Sequence, residues 1–296
     1  MSALKLRLKD EEKVREDARD AADNQYSDWA AFQIFQRCLE DGGDLSELEA
    51  AKQLYRLILS RAKDELRTIK YPPGQTEYLA QLVIQIAQQI PYNHPSQNRL
   101  LKIVQYLMSS DRFLSFYGMH ELPDKEFGSY HQWETLYSAI ADGYIANADW
   151  KNPEQERWYI NFHAFIVRFV AAMDNGKVHQ LRWPIELLSD QLEKTLEKPE
   201  SHLNTMVTSA SLSVLYTGQW LFHKVTLYPP RLLAEQEPGF VPGELYNGAM
   251  FGMERWQYWK QALKAKADIP HLGDEARGLA LKAVDFMDAL ERNCTW

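Results

Sequence analysis

From Asp28 to Arg292 large apolar residues recur at every third or fourth position, and no alternating run of β-branched residues interrupts them. A period near 3.6 places such residues on one stripe of an α-helix, whereas a half-buried strand needs a period of two. The expected fold is all-α: an irregular multi-helix bundle or a set of stacked helix pairs, with about ten or eleven helices. No repeat of the length used by regular helical solenoids is visible.

Trp29, Phe32, Phe35 and Leu39 form the first stripe, predicting a helix over Asp28 to Leu39. Leu45 to Ile69 follows, with Ser46 as N-cap and Glu49 in capping-box position. Tyr71-Pro72-Pro73-Gly74 is a break, Thr76 to Ile90 is the next helix, and Ser96 is expected to cap one running to about Ser109. Further helices are expected over Trp133 to Ala148, Trp158 to Phe169 and Trp183 to Leu196, the last with Pro184 held to its first turn. Leu203 to Val225, Glu244 to Lys266 and Asp274 to Arg292 complete the set. Residues 110–130 contain Gly118, Pro123 and Gly128 without periodicity and read as a long loop. The chain is read as one all-α domain, residues 1–296, with a candidate sub-boundary in that loop.

Charge narrows the partners. Forty-one acidic against 33 basic residues leave a net charge of -8, which disfavours nucleic acid and anionic lipid. The most apolar stretch, Met206 to Phe222, carries Ser209, Ser211, Ser213, Thr217 and Gln219, so no membrane span is expected. Cys38 and Cys294 are not in a C-x-x-C spacing, and Met1 to Lys13 lacks the apolar core of a secretory signal. A cytoplasmic location with free thiols is the expectation.

Metal, phosphate-loop and nucleophile motifs do not occur, and no two of the eight histidines are four apart. No metal and no cofactor are therefore expected. Candidate chemistry rests on polar residues set into aromatic helices. Asn161 and Arg168 are seven apart, on one face of a helix that also carries Trp158, Phe162, His163, Phe165 and Phe169. Such a pair suits a ligand carboxylate or a polarised carbonyl. Alternatively Arg168 pairs with an acidic residue of a neighbouring helix while Asn161 bridges two helices. His163 reads as a core histidine or as a base.

Tyr216, Gln219, Trp220 and His223 fall on a second stripe that suits a small-molecule lining, although Gly218 also fits close approach of another helix. Trp256, Trp259 and Leu263 form a third, with Arg255 placed to stack on Trp259. The reading assembles Arg168, Tyr216 and His223 as a catalytic set, Arg168 orienting a substrate oxygen and His223 or Tyr216 moving a proton. Asn161, His163, Trp158, Trp220 and Trp256 would bind the substrate, with Trp158 and Trp220 mostly buried. The function implied is binding of an apolar small molecule in an aromatic-lined pocket, as a cofactor-free cyclase, isomerase or dehydratase. The alternative is a non-catalytic helical protein–protein interaction module. Nine tryptophans, fifteen tyrosines and twelve phenylalanines tilt the choice toward a pocket.

Two stretches carry a family likeness. Trp158 to Ala172 followed by Trp183-Pro184-Ile185-Glu186 to Leu196, and Met253 to Lys260 followed by Leu279 to Glu291, resemble a helical family of filamentous fungi catalogued as domain of unknown function 3632. The likeness is best from about residue 130 onward. It implies a fungal, intracellular, all-α protein, with specialised metabolism as a setting, and it supplies no catalytic residues. The far-UV circular dichroism spectrum is expected to be that of a helical protein without a sheet component.

Overall fold

The structure, a computed structural model, describes residues 3–12, 15, 26–65, 75–110, 136–141, 143, 152–173, 178–195, 202–230 and 238–294. Among them there is no strand. Nine α-helices and a helical piece at residues 136–141 carry the fold, as the period predicts. They are α1 Asp28–Leu39, α2 Glu47–Glu65, α3 Gln75–Gln89, α4 Ser96–Met108, α5 Pro153–Ala172, α6 Val178–Leu192, α7 Leu203–Phe222, α8 Met253–Ala267 and α9 Asp274–Cys294. One π turn, His223–Leu227, extends α7. The break expected at Tyr71–Gly74, and all of the 110–130 loop beyond Ser110, lie outside the described residues.

The chain divides into two compact units, Met1–Phe165 and Ile166–Trp296, and the dividing line falls inside α5. In the first unit α2 and α4 pack together, and α1 packs against α2, α3 and α4. Polar side chains close the helix ends. Ser27 caps α1 by accepting from the Ala30 N–H, and Ser46 accepts from Glu49 at the start of α2, as its sequence position predicts. Ser96 does not cap α4. Its hydroxyl is buried and donates 2.6 Å to the Leu39 carbonyl, so it closes the end of α1 instead. Gln97, also buried, donates to the carbonyls of Ile90, at 2.7 Å, and Ala87, both near the end of α3. Arg99 joins α4 to Glu47 and to the Leu45 carbonyl.

Residues 3–8 carry a period of two. Leu4, Leu6 and Leu8 alternate with exposed Lys5 and Arg7, and the segment is extended with all three leucines buried. Among the described residues no strand lies beside it.

In the second unit α7 is the central helix, packed by α6, α8 and α9. Trp256, Trp259, Leu263, Phe222 and Phe240 lie fully buried in its largest apolar cluster. α7 buries six hydroxyls, and most are satisfied inside the helix: Ser209, Ser211, Ser213 and Thr217 each donate to the carbonyl four residues back. Bonded this way, a serine behaves as a small, nearly apolar residue. Gly218 has the role of allowing close approach: a Cβ there would lie 2.9 Å from the Phe286 ring of α9.

Three helix starts lie five or more residues from expectation, and α5 begins at Pro153 rather than Trp158. α6 begins at Val178, which puts Pro184 inside the helix rather than in its first turn; the missing N–H leaves one rung of the ladder unmade. Residues 244–252 are loop, and α8 starts only at Met253, after Gly252 at φ 129°. The apolar residues of that loop mimic a helical stripe, but Gly248 and Gly252 break it.

Ser209→Ala and Ser211→Ala should each change unfolding free energy by no more than about 0.5 kcal/mol, because each hydroxyl serves only its own helix. Gly218→Leu should destabilise by about 1–3 kcal/mol through overpacking against Phe286. Urea midpoints of the three variants check the contrast.

Candidate functional site

α5 starts at Pro153, five residues before the expected Trp158, because a polar first turn carries no apolar stripe. Asn152 accepts from the N–H groups of Glu154 and Gln155, and Pro153 takes the first helical position. Three expected site residues on this helix belong to the first unit. Trp158 is 40% exposed, against the expectation of burial: it stands one turn from the helix start, on the solvent side. His163 is fully buried, 6.0 Å from the Tyr159 ring, in the position of a core histidine. Asn161 takes the bridging role. Its Oδ1 accepts from the Tyr92 N–H at 2.9 Å and its Nδ2 donates to the Gln88 carbonyl at 2.9 Å, closing the end of α3.

The other five belong to the second unit. Arg168 and Tyr216 come together, with the guanidinium carbon 3.4 Å over the ring centroid. Arg168 is largely buried, and burial pushes its guanidinium below the usual arginine range, partly offset by Tyr216. Trp220 is half-buried and packs on the rim of the apolar cluster. His223 is exposed at the first position of the π turn, 4.6 Å from the Tyr228 ring. Trp256 is fully enclosed, edge-on to Phe222 at 5.0 Å and to Trp259 at 6.4 Å.

The strongest electrostatic feature of the unit is one the sequence reading missed. Glu193, the first residue after α6, and Arg255 of α8 form an ion pair with both side chains wholly buried. Glu193 accepts from Arg255 Nε at 2.6 Å and from its second terminal nitrogen at 2.9 Å. Trp259 Nε1 donates to the same carboxylate at 2.6 Å, Ser189 Oγ at 2.8 Å and the Gly243 N–H at 2.8 Å. The remaining nitrogen of Arg255 donates to the Phe240 and Met250 carbonyls. Arg255 also stands 5.3 Å from the Trp259 ring, the stacking that the spacing predicts. The pairing of a buried arginine with a neighbouring helix's carboxylate, considered for Arg168, is met at Arg255. Its partner is 62 residues away, beyond any local pattern.

This pair organises the loop before α8. Leu245 donates its N–H to the Glu193 carbonyl, and Glu244 accepts from the Thr195 N–H. Gly243 has to be glycine: a Cβ would lie 2.5 Å from the Glu193 carbonyl oxygen. Burial by itself raises the Glu193 carboxyl. The hydrogen bonds and charge of Arg255, with Gly243 and Ser189, outweigh it and hold the group below its usual 4.5. With five hydrogen bonds on the carboxylate and four from the guanidinium, all within the protein, the pair is a structural hub.

Among the described residues no three His, Cys, Asp or Glu side chains converge as a metal site, and no helix is long and apolar enough to cross a membrane. Cys38 is a buried free thiol, raised by burial and lowered less by nearby Arg99.

The fold and its interior thus define a helical protein built around a buried ion pair. Residues 81–263, more than half of the chain, match the family described as a protein of unknown function (DUF3632), and the chain belongs to that family. The match begins well before residue 130 and takes in Glu193, Arg255 and Trp259, while residues 3–8, α1, α2 and α9 lie outside it. No curated protein and no solved structure matches the chain.

Glu193→Gln leaves the Arg255 charge buried without its counter-charge and should destabilise by about 3–5 kcal/mol in chemical denaturation. Because the folded carboxyl titrates below the unfolded value of 4.5, its contribution is complete above that pH and declines as pH falls through the folded value. The acid limb of a stability–pH curve should therefore be shallower in Glu193→Gln than in the parent.

Proposed function

We propose that residues 166–296 bind an apolar small molecule carrying one oxygen-rich end, gripped by Arg168 beside Tyr216. The single observation behind this reading is the stacked pair itself: a largely buried guanidinium 3.4 Å over a phenol ring. A guanidinium carries five N–H donors in one plane, the geometry that suits a carboxylate. Desolvation strengthens any such bond. Trp220, half-buried one turn along α7 from Tyr216, supplies apolar surface on the same stripe. In a cyclising, isomerising or dehydrating reaction at this place, Arg168 would orient the oxygen and Tyr216 would move the proton. His223, exposed and in tilted contact with Tyr228, is the route of exchange with solvent in that scheme.

Long-chain fatty acids and the matching primary alcohols serve as probes, titrated with tryptophan fluorescence as the signal. The acids should bind about tenfold or more tighter than the alcohols, equivalent to about 1.4 kcal/mol. Arg168→Leu should erase the difference while circular dichroism stays unchanged. Equal binding of acids and alcohols, or a preference that survives Arg168→Leu, overturns the reading and returns the chain to the class of helical interaction modules.

A further inference from the structure

The extended segment at residues 3–8 is held as a bound peptide is held. In an extended chain, the N–H and C=O of successive residues point to opposite edges. On one edge the Leu4 N–H donates to Asp41 Oδ2 at 3.3 Å and the Leu6 N–H to Glu40 Oε1 at 2.8 Å, while the Leu6 carbonyl accepts from Gln36 Nε2 at 3.4 Å. On the other edge the Arg7 N–H and carbonyl both meet the amide of Gln89, each at 2.8 Å. The side chains that do this are themselves braced: Gln36 also donates to Glu40, and Gln89 to the Gln85 carbonyl. Side chains from the end of α1 and the end of α3 therefore occupy the places that two neighbouring strands would fill in a sheet.

Such a receptor reads backbone, and backbone is common to every extended chain. Sequence is read by the face below, which buries Leu4, Leu6 and Leu8, and by charge at the rim. The outward residues Lys5, Arg7 and Lys9 are all basic and exposed, while Glu40 and Asp41 line one edge and the protein carries a net charge of -8. We propose that the face formed by α1 and α3 is a docking groove for an extended peptide in which leucine-like and basic residues alternate. The chain's own residues 3–8 fill it in cis and compete with a peptide of that chemistry from another protein. The groove lies in the first unit and is independent of Arg168 and its ligand.

The probe is a fluorescein-labelled peptide of residues 3–10, and the measurement is anisotropy with the full-length chain. L6D, which places a carboxylate on the buried face, should release the segment and expose the groove. The peptide should bind L6D at least about tenfold tighter than it binds the parent, whose groove is filled. Binding should be lost in L6D/Q89A, and a peptide carrying the same Leu6→Asp change should not bind. Hydrogen exchange on the parent gives a second readout that needs no variant: saturating unlabelled peptide should speed exchange at the chain's own Leu6 and Arg7 amides. A well-folded L6D that does not bind the peptide, or equal binding by L6D and the parent, overturns the proposal. So does unchanged exchange at Leu6 and Arg7 under saturating peptide, which would make the segment a fixed strap.

Discussion

The second unit depends on a single carboxylate. Removing the Glu193 charge from water is costly, and the return comes only from complete coordination. Its donors come from three separated pieces of chain: Ser189 in α6, Gly243 in the loop, and Arg255 and Trp259 in α8. Each must be in place before the others are satisfied, so the group works as an all-or-none registry device as well as a contact. Once α8 is fixed, Lys260 holds α9 through Asp288 and Glu291, and Arg277 of α9 returns to the carbonyls of Ala267, Ile269 and Leu272 at the end of α8. The tryptophan core is assembled around a charge that it must also keep dry.

The first unit solves the same problem of unsatisfied backbone with mostly neutral groups. Ser96, Gln97 and Asn161 each take a carbonyl near a helix end, and Gln89 takes both backbone groups of Arg7. Amides are suited to this because one side chain both donates and accepts. Burying an amide costs less than burying a charge, and its loss should be felt locally.

How much of this could be read in the sequence follows from the range of each signal. Helices were legible because their stripes repeat within four residues. The cap at Ser46 follows a local rule, the Asn152-Pro153 start of α5 is passed over by a stripe counted from Trp158, and the stack of Arg255 on Trp259 is four residues long. Pro184 is placed in a first turn by the general preference of proline for helix starts, yet the stripe of Val178, Leu181, Ile185 and Leu188 runs straight across it. Ser96 was misread because a serine near a helix start has two uses, and the choice depends on Leu39, 57 residues away. Glu193 looks like any charged residue at a helix end, since nothing local distinguishes a buried carboxylate from a solvated one. Arg168 and Tyr216, polar positions on two aromatic helices, lie in contact.

The π turn at His223–Leu227 marks where α7 can change length while its flanks keep register. An α-helix that accepts one extra residue without moving its flanks swells into such a turn. Each residue rotates the chain by about 100° in a regular helix, so an insertion elsewhere in α7 would swing every later side chain off its face. Along the body of α7 this is forbidden by Gly218, which must stay opposite Phe286. At the turn the extra residue is absorbed: the Tyr228 N–H reaches back five residues to His223, Val225 stays buried and its carbonyl still receives the Gly252 N–H. Relatives of this chain that differ in length by one residue would be expected to differ here, with α7 and the start of α8 left in register.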